Sequence, residues 1–343
     1  MKRGARLLLI VTLLALVASA AFAGELWCRN LLRQSGPSVA VQRFAVPAGS
    51  SLTAVIQRLG RAGLVSHPQI VATYLRWRRP GISIQAGEYD INAGASVNDI
   101  LEQLRSGRVV LESITLIEGW TFDQARQAIA RHPALSQTLT GRSDSEVMTL
   151  LGSGELHPEG QLYPDTYRFA AGSTDLALLR RAHERLQQEL ATAWSVRANT
   201  EPLESPYQVL TLASLVEKET ALPGERARIA GVFLLRLRRG MRLQSDPTVI
   251  YGMGARYDGD IRSRDLRADT PYNTYTRAGL PPTPIALVGK EALLAVTQPE
   301  ITGDLYFVAT GDGDGSHFFS SNYAAHADAV RRYLAKLKLQ GTR

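Results

Sequence analysis

Two glutamates, Glu217 and Glu219, end the otherwise apolar run "YQVLTLASLVEKET". Ser205 is suited to the N-cap and Pro206 to the first turn, so the pattern predicts a helix that begins after Ser205 and carries both carboxyl groups at its far end. Residues two apart do not face each other on a helix, so these two carboxyl groups do not form a close pair by themselves. Each needs its own explanation.

Helical spacing predicts an apolar stripe on one face of this helix, formed by Val209, Leu212, Ala213 and Val216. Glu219 borders the stripe, and a carboxyl group against an apolar face loses hydration when it is charged. Its pKa should therefore rise, which suits a general acid near neutral pH. Lys218 should point away from the stripe.

A structural role for Glu219 stays open on the pattern alone, with its carboxylate paired to Arg226 or Arg228. The helix dipole disfavours a carboxylate near a helix C-terminus, which counts against a purely structural role. Glu217 borders the stripe on its other side. We expect it to support the site through a bond to a neighbouring loop or arginine.

Further polar residues that could bind a substrate lie in three short segments. "LQSDPT" supplies Gln244 and Asp246, "PYNTYT" supplies Asn273 and Tyr275, and "EGQLYPDTY" supplies Glu159. Asp246 is suited to bonding hydroxyl groups or stabilising positive charge, and Asn273 and Tyr275 are suited to binding an amide group and the face of a ring. The alternative for each is loop architecture, such as a turn beside a proline.

An internal repeat precedes this region: "AGSSLTAVIQRL" at residues 48–59 matches "AGASVNDILEQL" at residues 93–104. In each copy a glycine ends a strand-like segment, a serine caps a helix and apolar residues recur at helical spacing. A weaker third copy, "EGWTFDQARQAI", starts at Glu118. Strand–helix modules of this kind resemble the LysM-like glycan-binding fold. The alternative is that they are only packing units.

The rest of the chain alternates helices with short strands and predicts an α+β fold. Helices are expected from residue 174, from 205, over 224–239, over 290–297 and from 322, and strands near 166–169 and in "LYFVAT". The glycines of "GDGDGSH" predict a hairpin loop. We expect a stub and membrane anchor at 1–24, a linker at 25–40, a LysM-like module at 41–110 and a larger α+β domain that carries the chemistry at 111–343.

The N-terminus combines the basic residues Lys2, Arg3 and Arg6 with an apolar run over residues 7–23. This predicts a cytoplasmic N-terminus with the body of the protein on the other side of a membrane. The run is short for a spanning helix, which needs roughly 20 residues, and its final "AFA" is typical of a signal-peptidase site. We expect an uncleaved anchor, and a cleaved signal is the alternative.

The composition and charge of the chain limit which partners and cofactors are expected. The chain has 343 residues, a net charge of +7 and 45% hydrophobic residues, which favours a globular protein with an anionic partner. Basic runs interleaved with aromatic residues are missing, so we expect no nucleic acid. The single cysteine, Cys28, excludes an internal disulfide and a cysteine metal cluster, and the six histidines lack metal-ligand spacing. We expect no metal and no cofactor.

Three long segments, "LASLVEKET", "RGMRLQSDPTVIYGMG" and "YNTYTRAGLPPTPI", resemble the hallmark motifs of the endolytic murein transglycosylase (YceG-like) family. "EGQLYPDTY" and "LYFVATGDGDGSHFFSSNYAAH" fit the same pattern, so the resemblance covers nearly the whole chain. It implies a protein anchored in the inner membrane with a periplasmic body, which cuts the glycan strands of peptidoglycan internally. The catalytic glutamate of the family falls on Glu219.

The resemblance implies a lytic reaction, in which one carboxyl group acts as acid and then as base and leaves a 1,6-anhydro end. Such cuts in nascent strands would limit strand length, and peptidoglycan synthases are the expected partners beside the glycan itself. Two alternatives stay open: a non-catalytic glycan-binding scaffold of wall synthesis, and a hydrolytic muramidase.

Overall fold

The computed structural model describes residues 2–198 and 200–340 and has the mixed α+β composition that the sequence predicts. The expected domain ends at Met1 and at residues 341–343 lie outside the described residues. The chain divides into two compact units. Unit 1 is the chain up to Glu112 together with Phe169–Gly172, and unit 2 is Ser113–Arg168 together with the chain from Ser173 onward.

The first helix, α1 (Lys2–Arg33), contains one segment, Leu7–Arg33, that is long and apolar enough to cross a membrane, as an anchor or a secretion signal would be. The side chains of Lys2, Arg3 and Arg6, on which the predicted orientation rests, lie outside the described part of the structure. The sequence predicts a linker at residues 25–40. The first part of this range is instead helical, because α1 continues to Arg33 and Leu32 is buried in the core of unit 1.

Unit 1 continues with β1 (Gln42–Val46), α2 (Leu52–Arg61), α3 (Pro68–Arg78), β2 (Gly87–Ile91) and α4 (Val97–Ser106). β1 and β2 pair antiparallel, with Phe44 opposite Tyr89. Their side chains and the apolar faces of the three helices form one core. The repeat therefore forms a strand followed by a helix in each copy, and α3, which periodicity did not reveal, separates the copies.

The two repeat helices begin where the sequence predicts, because a serine caps each of them. Ser51 accepts a hydrogen bond from the Ala54 N–H. Ser96 accepts one from the Asp99 N–H, and Asp99 in turn accepts from the Ser96 N–H, which completes a capping box. The third copy follows the same rule in unit 2, where Thr121 and Gln124 form a capping box.

Unit 2 is mainly helical, with short strands at its edges. β3 (Leu111–Thr115), which begins in unit 1, pairs with β4 (Thr166–Ala170), and β5 (Tyr306–Ala309) pairs antiparallel with β6 (His317–Ser320) around the predicted glycine-rich hairpin. The helices are α5 (Phe122–Ala130), α6 (Asp144–Leu150), α7 (Asp175–Ser195), α8 (Pro206–Glu219), α9 (Pro223–Arg238), α10 (Asp246–Met253), α11 (Ser263–Arg267), α12 (Lys290–Thr297) and α13 (Tyr323–Gln340).

Helix α8 is the centre of unit 2. Ser205 caps it by accepting from the Gln208 N–H at 3.3 Å, as predicted. The predicted one-sided stripe is wrong, because every residue from Val209 to Val216 is buried. Helices α7, α9, α10 and α12 all pack against α8, so it has no solvent face along this stretch. Lys218 lies beyond it, is exposed as expected, and donates to the Gly119 carbonyl at 3.1 Å.

The two polar residues inside this buried stretch are satisfied within unit 2. Thr211 donates to the Tyr207 carbonyl at 2.8 Å. Ser214 donates to the Thr211 carbonyl at 2.7 Å and accepts from the Ile285 N–H at 3.0 Å. These bonds remove the cost of burying hydroxyl groups and tie α8 to the segment before α12.

Helix α9 makes a close backbone approach that only glycine permits. A Cβ on Gly231 would lie 2.1 Å from the carbonyl oxygen of Glu300, whose own N–H donates to the Ala227 carbonyl at 3.0 Å. The segment after α12 therefore lies directly on α9. A Cβ on Gly224, in the first turn of the same helix, would meet nothing within 4 Å.

We expect Gly231→Ala to lower the free energy of unfolding by about 1–3 kcal/mol, because the new methyl group must displace backbone. Gly224→Ala is the matched control, and we expect it to be neutral or stabilising by up to about 1 kcal/mol through helix propensity. Urea unfolding followed by circular dichroism measures both. Equal stability of the two variants would contradict the close packing of α9 on this segment.

Candidate active site

Glu219 is the last residue of α8, and its carboxyl group accepts a hydrogen bond from the hydroxyl of Ser245. Ser245 is the N-cap residue of α10, yet its hydroxyl makes no capping bond there. The helix thus gives up a capping interaction, and the serine points at Glu219. The hydroxyl is neutral, so it orients the carboxyl without neutralising a charge.

The environment of Glu219 favours its protonated form. Burial raises the pKa of the Glu219 carboxyl to about 7, and the charge of Asp246 adds to the rise, whereas the Ser245 hydrogen bond and Arg236 lower the pKa. The residue is half-buried, so it keeps some solvent access. A carboxyl group with this pKa exists in both protonation states near neutral pH, as an acid–base catalyst requires.

Arg236 of α9 fixes the loop that carries Ser245. This buried guanidinium donates to the carbonyl of Leu243 at 2.6 Å and to that of Leu305 at 2.6 Å. On the other side the N–H of Ser245 donates to the hydroxyl of Thr274 at 3.0 Å, and the N–H of Gln244 donates to the Thr274 carbonyl at 3.2 Å. These bonds hold the Ser245 hydroxyl in place beside Glu219.

Gln244 and Asp246 flank Ser245 and are both exposed. Gln244 has a left-handed backbone with φ of 54°, which is strained for a residue with a side chain and is typical of functional loops. Asp246 accepts a hydrogen bond at 2.6 Å from the hydroxyl of the half-buried Tyr275. The structure therefore brings two of the predicted substrate residues, Asp246 and Tyr275, close to Glu219, and Gln244 directly precedes the serine that binds it.

Asn273 has an architectural position. It is buried, and its amide nitrogen lies within hydrogen-bond distance of three backbone oxygens, at 2.7–3.2 Å, those of Asp265, Leu266 and Ala268. Its side-chain oxygen accepts from the Tyr275 N–H at 2.8 Å. These contacts place Tyr275 opposite Asp246.

Glu159 is also buried rather than presented to solvent. It accepts from the Phe122 N–H at 2.9 Å and from the hydroxyl of Tyr251 at 3.0 Å, and Tyr251 lies on the same helix as Asp246. Burial raises the pKa of Glu159 to about 7, against these hydrogen bonds, which lower it. Glu159 therefore ties the start of α5 to α10.

Glu217 has the partners expected of a supporting residue. It pairs with Arg226 at 3.1 Å and accepts from the Gly289 N–H at 3.0 Å, with only 4% of its side chain exposed. Burial raises the pKa of Glu217, whereas the Gly289 bond and Arg226 lower it. The arginine considered as a partner of Glu219 thus binds Glu217, and Arg228 binds Asp304 at 2.7 Å. Neither ion pair involves Glu219.

Groups of three or more His, Cys, Asp or Glu side chains that could hold a metal ion do not occur in the part of the chain that the structure describes.

Comparison with known proteins identifies the family. The sequence pattern of the YceG-like family matches residues 44–332. This chain belongs to the YceG-like family. The match spans the strand–helix repeat of unit 1 and the whole cluster around Glu219.

Relatives and a solved structure agree with the YceG-like assignment. A Bacillus subtilis protein named endolytic murein transglycosylase is 30% identical over 84% of this chain and 84% of its own length. A protein of the same name from Streptococcus pneumoniae is 27% identical over 95% of this chain, which spans only 64% of that longer protein. A crystal structure of a YceG-like protein from Listeria monocytogenes is similar with a TM-score of 0.54 and 28% identity, over 85% of this chain and 99% of the other.

The YceG-like chain is therefore an enzyme, a lytic transglycosylase. Sequence reasoning singled out Glu219 and predicted its raised pKa, but it gave no role to Ser245 and overlooked Arg236 and Thr274. Ser245 had one available signal, since a serine before Asp-Pro is a typical helix N-cap. No sequence signal pointed to a buried role for Arg236, because an arginine in a helical pattern is ordinarily interpreted as exposed.

The raised pKa of Glu219 makes stability depend on pH. Its folded pKa of about 7 exceeds the usual glutamate value of 4.5, so its contribution to stability is full below about pH 4.5 and is lost as the pH rises through about 7. Glutamine imitates the protonated acid at every pH. We expect Glu219→Gln to match the wild type near pH 4.5 and to exceed its free energy of unfolding at pH 8 by about 1–3 kcal/mol.

Urea unfolding at both pH values measures this difference, and the exposed Glu184→Gln is the control for loss of one carboxylate. If the Glu219→Gln and wild-type stabilities stay parallel from pH 4.5 to 8, the carboxyl group is not desolvated as described.

Proposed function

We propose that this YceG-like protein is an endolytic peptidoglycan lytic transglycosylase with Glu219 as its catalytic acid and base. It cleaves the bond between N-acetylmuramic acid and N-acetylglucosamine within nascent strands, leaves 1,6-anhydro ends and so limits strand elongation. The observation that carries the proposal is the carboxyl of Glu219, half-buried, held by the Ser245 hydroxyl and poised with a pKa of about 7. The names of the relatives supply the reaction class.

The proposed reaction needs one carboxyl group. Protonated Glu219 donates its proton to the glycosidic oxygen as the bond to the muramyl C1 breaks. The resulting carboxylate accepts the proton of the muramyl C6 hydroxyl, whose oxygen forms the new bond to C1. The acid is thereby regenerated, and no water enters the bond. An internal nucleophile also gains from proximity, which removes the need for a positioned water.

The exposed residues around Glu219 would bind the sugar. Asp246 lies close enough for its charge to raise the pKa of Glu219, so it would also stabilise positive charge that develops at C1. Tyr275 supplies an aromatic face near Glu219, and Gln244, which directly precedes the serine bound to Glu219, supplies an amide. We assign Asn273 and Glu159 to shaping the cleft from behind, since both are buried and already bonded. Glu217 supports the end of α8 through Arg226.

A hydrolytic muramidase is the second candidate, and the position of Asp246 favours it. Hydrolysis ordinarily uses a second carboxylate to attack C1 or to activate water. Asp246 is such a group, although Tyr275 already donates to it. The transglycosylase names of the relatives favour the lytic reaction and argue against the non-catalytic scaffold.

For the location, we propose that α1 is an uncleaved single-pass anchor in the inner membrane, with Met1 on the cytoplasmic side and both units in the periplasm. The apolar run over residues 7–23, within the candidate segment Leu7–Arg33, supports a span, and the basic residues before Leu7 support the orientation. We further propose that the strand–helix module of unit 1 is LysM-like and binds glycan. Its β1-α2-α3-β2 order with an antiparallel strand pair supports this assignment. Peptidoglycan synthases are the proposed protein partners.

Glu219→Gln should lower the release of anhydro-ended strands by at least about 10²–10⁴-fold, because the variant keeps shape but has no transferable proton. Glu217→Gln, on the same helix, is the matched comparison and should retain measurable activity, since its carboxyl group binds protein atoms rather than substrate. Digestion of purified glycan strands followed by mass spectrometry measures both.

Product ends decide between the candidate reactions in the same digest. Anhydro ends support the lytic reaction, and reducing ends would replace it by hydrolysis. A folded Glu219→Gln variant with wild-type activity would remove Glu219 from the catalytic role.

Deleting residues 41–110 should reduce action on polymeric glycan more than action on short oligomers, because the glycan-binding module would retain long strands beside the enzyme. Initial rates on both substrates, with circular dichroism to check folding, measure this. Equal loss on polymer and oligomer would assign the module to folding alone.

A further inference from the structure

Helix α3 crosses α1 close to the end of the apolar run. The His67 ring, before the first turn of α3, lies 6.1 Å from the Trp27 ring, and Arg78, its last residue, donates to Glu25 at 2.6 Å. Glu25 and Trp27 are separated by only about 3 Å along α1, whereas α3 is about 16 Å long. Helix α3 therefore lies across α1 and does not run along it.

This crossing lies on the side of unit 1 nearest to the apolar run. Leu32 is the residue of α1 that enters the core of unit 1. Glu25 and Trp27 precede it by roughly 8–10 Å along the helix, and the apolar run ends two residues before Glu25. If α1 spans the membrane, α3 lies at the level of the lipid headgroups, approximately parallel to the surface.

The outward face of α3 has the composition of a helix at a membrane surface. Val71, Ala72 and Leu75 are buried in the core, whereas Ile70 and Trp77, seven residues apart on the opposite side, are 39% and 72% exposed. The same end carries three arginines: Arg76, Arg78 and Arg79. The guanidinium of Arg78 lies 5.1 Å from the centre of the Trp77 ring.

We propose that the outward face of α3 is a second membrane contact, with Trp77 among the lipid headgroups and Arg76 and Arg79 bound to the phosphates of anionic lipids. Tryptophan is enriched at this depth, helices with an exposed apolar side and basic flanks lie in the interface, and basic residues near the surface attract anionic lipid. The inference rests on the proposed anchoring of α1 and not on the proposed reaction.

The physical consequence is orientation. A single spanning helix leaves the body of a protein free to rotate and tilt about one tether, whereas interfacial tryptophan and arginine residues fix both motions. The Glu25 carboxylate, which accepts from Arg29, Arg78 and the hydroxyl of Tyr74, couples α3 rigidly to α1. Unit 1 would therefore keep a defined orientation relative to the membrane surface.

The test uses the full chain reconstituted into vesicles of phosphatidylglycerol and phosphatidylcholine whose acyl chains carry bromine, which quenches tryptophan fluorescence on contact. All proteins carry Trp27→Phe, so that emission near the span comes from Trp77. We expect bromine placed near the headgroups to quench the emission more than bromine near the chain ends. Trp77→Phe should abolish this quenching, whereas Trp194→Phe, a tryptophan of unit 2, should leave it unchanged.

A charge variant tests the lipid preference. Arg76→Glu with Arg79→Glu should reduce the quenching of Trp77 in phosphatidylglycerol vesicles and bring it to the level seen in pure phosphatidylcholine. Arg239→Glu, an exposed arginine at the end of α9, is the matched control and should have no effect. Melting temperatures by circular dichroism confirm that each variant is folded.

Flotation of the vesicles separates the two proposals. Protein that floats after alkaline carbonate treatment, while Trp77 escapes quenching, would overturn the contact and leave the anchor intact. Protein that does not float would overturn both, without bearing on the reaction. Protection of Trp77 from acrylamide by glycan oligomers, in place of quenching by lipid, would show instead that this face binds sugar.

Discussion

The candidate site depends on one interaction, the hydrogen bond from the neutral Ser245 hydroxyl to the carboxyl group of Glu219 at the end of the buried helix α8. Glu219 and Glu217 leave the same helix two residues apart, yet one accepts from Ser245 and the other is paired with Arg226. Burial raises the pKa of both groups; the Gly289 N–H and Arg226 oppose the rise for Glu217, and the Ser245 hydroxyl and Arg236 oppose it for Glu219. Two chemically identical groups thus have different partners, and the different roles proposed for them rest on this difference.

Much of unit 2 serves to keep that hydroxyl in position. Arg236 fixes the carbonyl of Leu243, Thr274 fixes the N–H of Ser245, and the buried amide of Asn273 fixes the loop from which Thr274 and Tyr275 project. Each of these groups is buried and bonded to backbone, so each would be costly to move. If Glu219 is the proton donor, as proposed, it benefits from such rigidity, because misplacement weakens proton transfer.

Unit 1 depends on a different constraint, the continuity of α1. The helix does not stop at the end of the apolar run but continues to Arg33, where Leu32 enters the core and Glu25 binds Arg78. Because a helix transmits position along its axis, a membrane span by α1, as proposed, would also fix the height of α3. Ile70 and Trp77, which are exposed on α3 and lie outside the core of unit 1, would then lie at the level of the lipid headgroups.

The sequence by itself determined the elements whose signals are local. Ser51, Ser96, Ser205 and the glycine-rich hairpin acted through neighbouring residues, so the repeat helices, α8 and the β5–β6 hairpin began and ended close to the expected places. Glu219 was singled out as a candidate because a carboxyl group beside apolar residues has a predictable pKa shift and because its motif resembles that of the family. The continuation of α1 past residue 25 was missed, since its stabilising contacts come from α3.

Only the tertiary structure decided which partners meet. It placed four helices around α8, which made a predicted stripe into a helix buried on all sides. It gave Arg226 to Glu217 and Ser245 to Glu219, buried Asn273 and Glu159, and left Gln244 and Asp246 exposed. Periodicity describes one element at a time, whereas the hydrogen-bond partner of a side chain comes from a segment tens of residues away. The chemistry of this site is set at that second level.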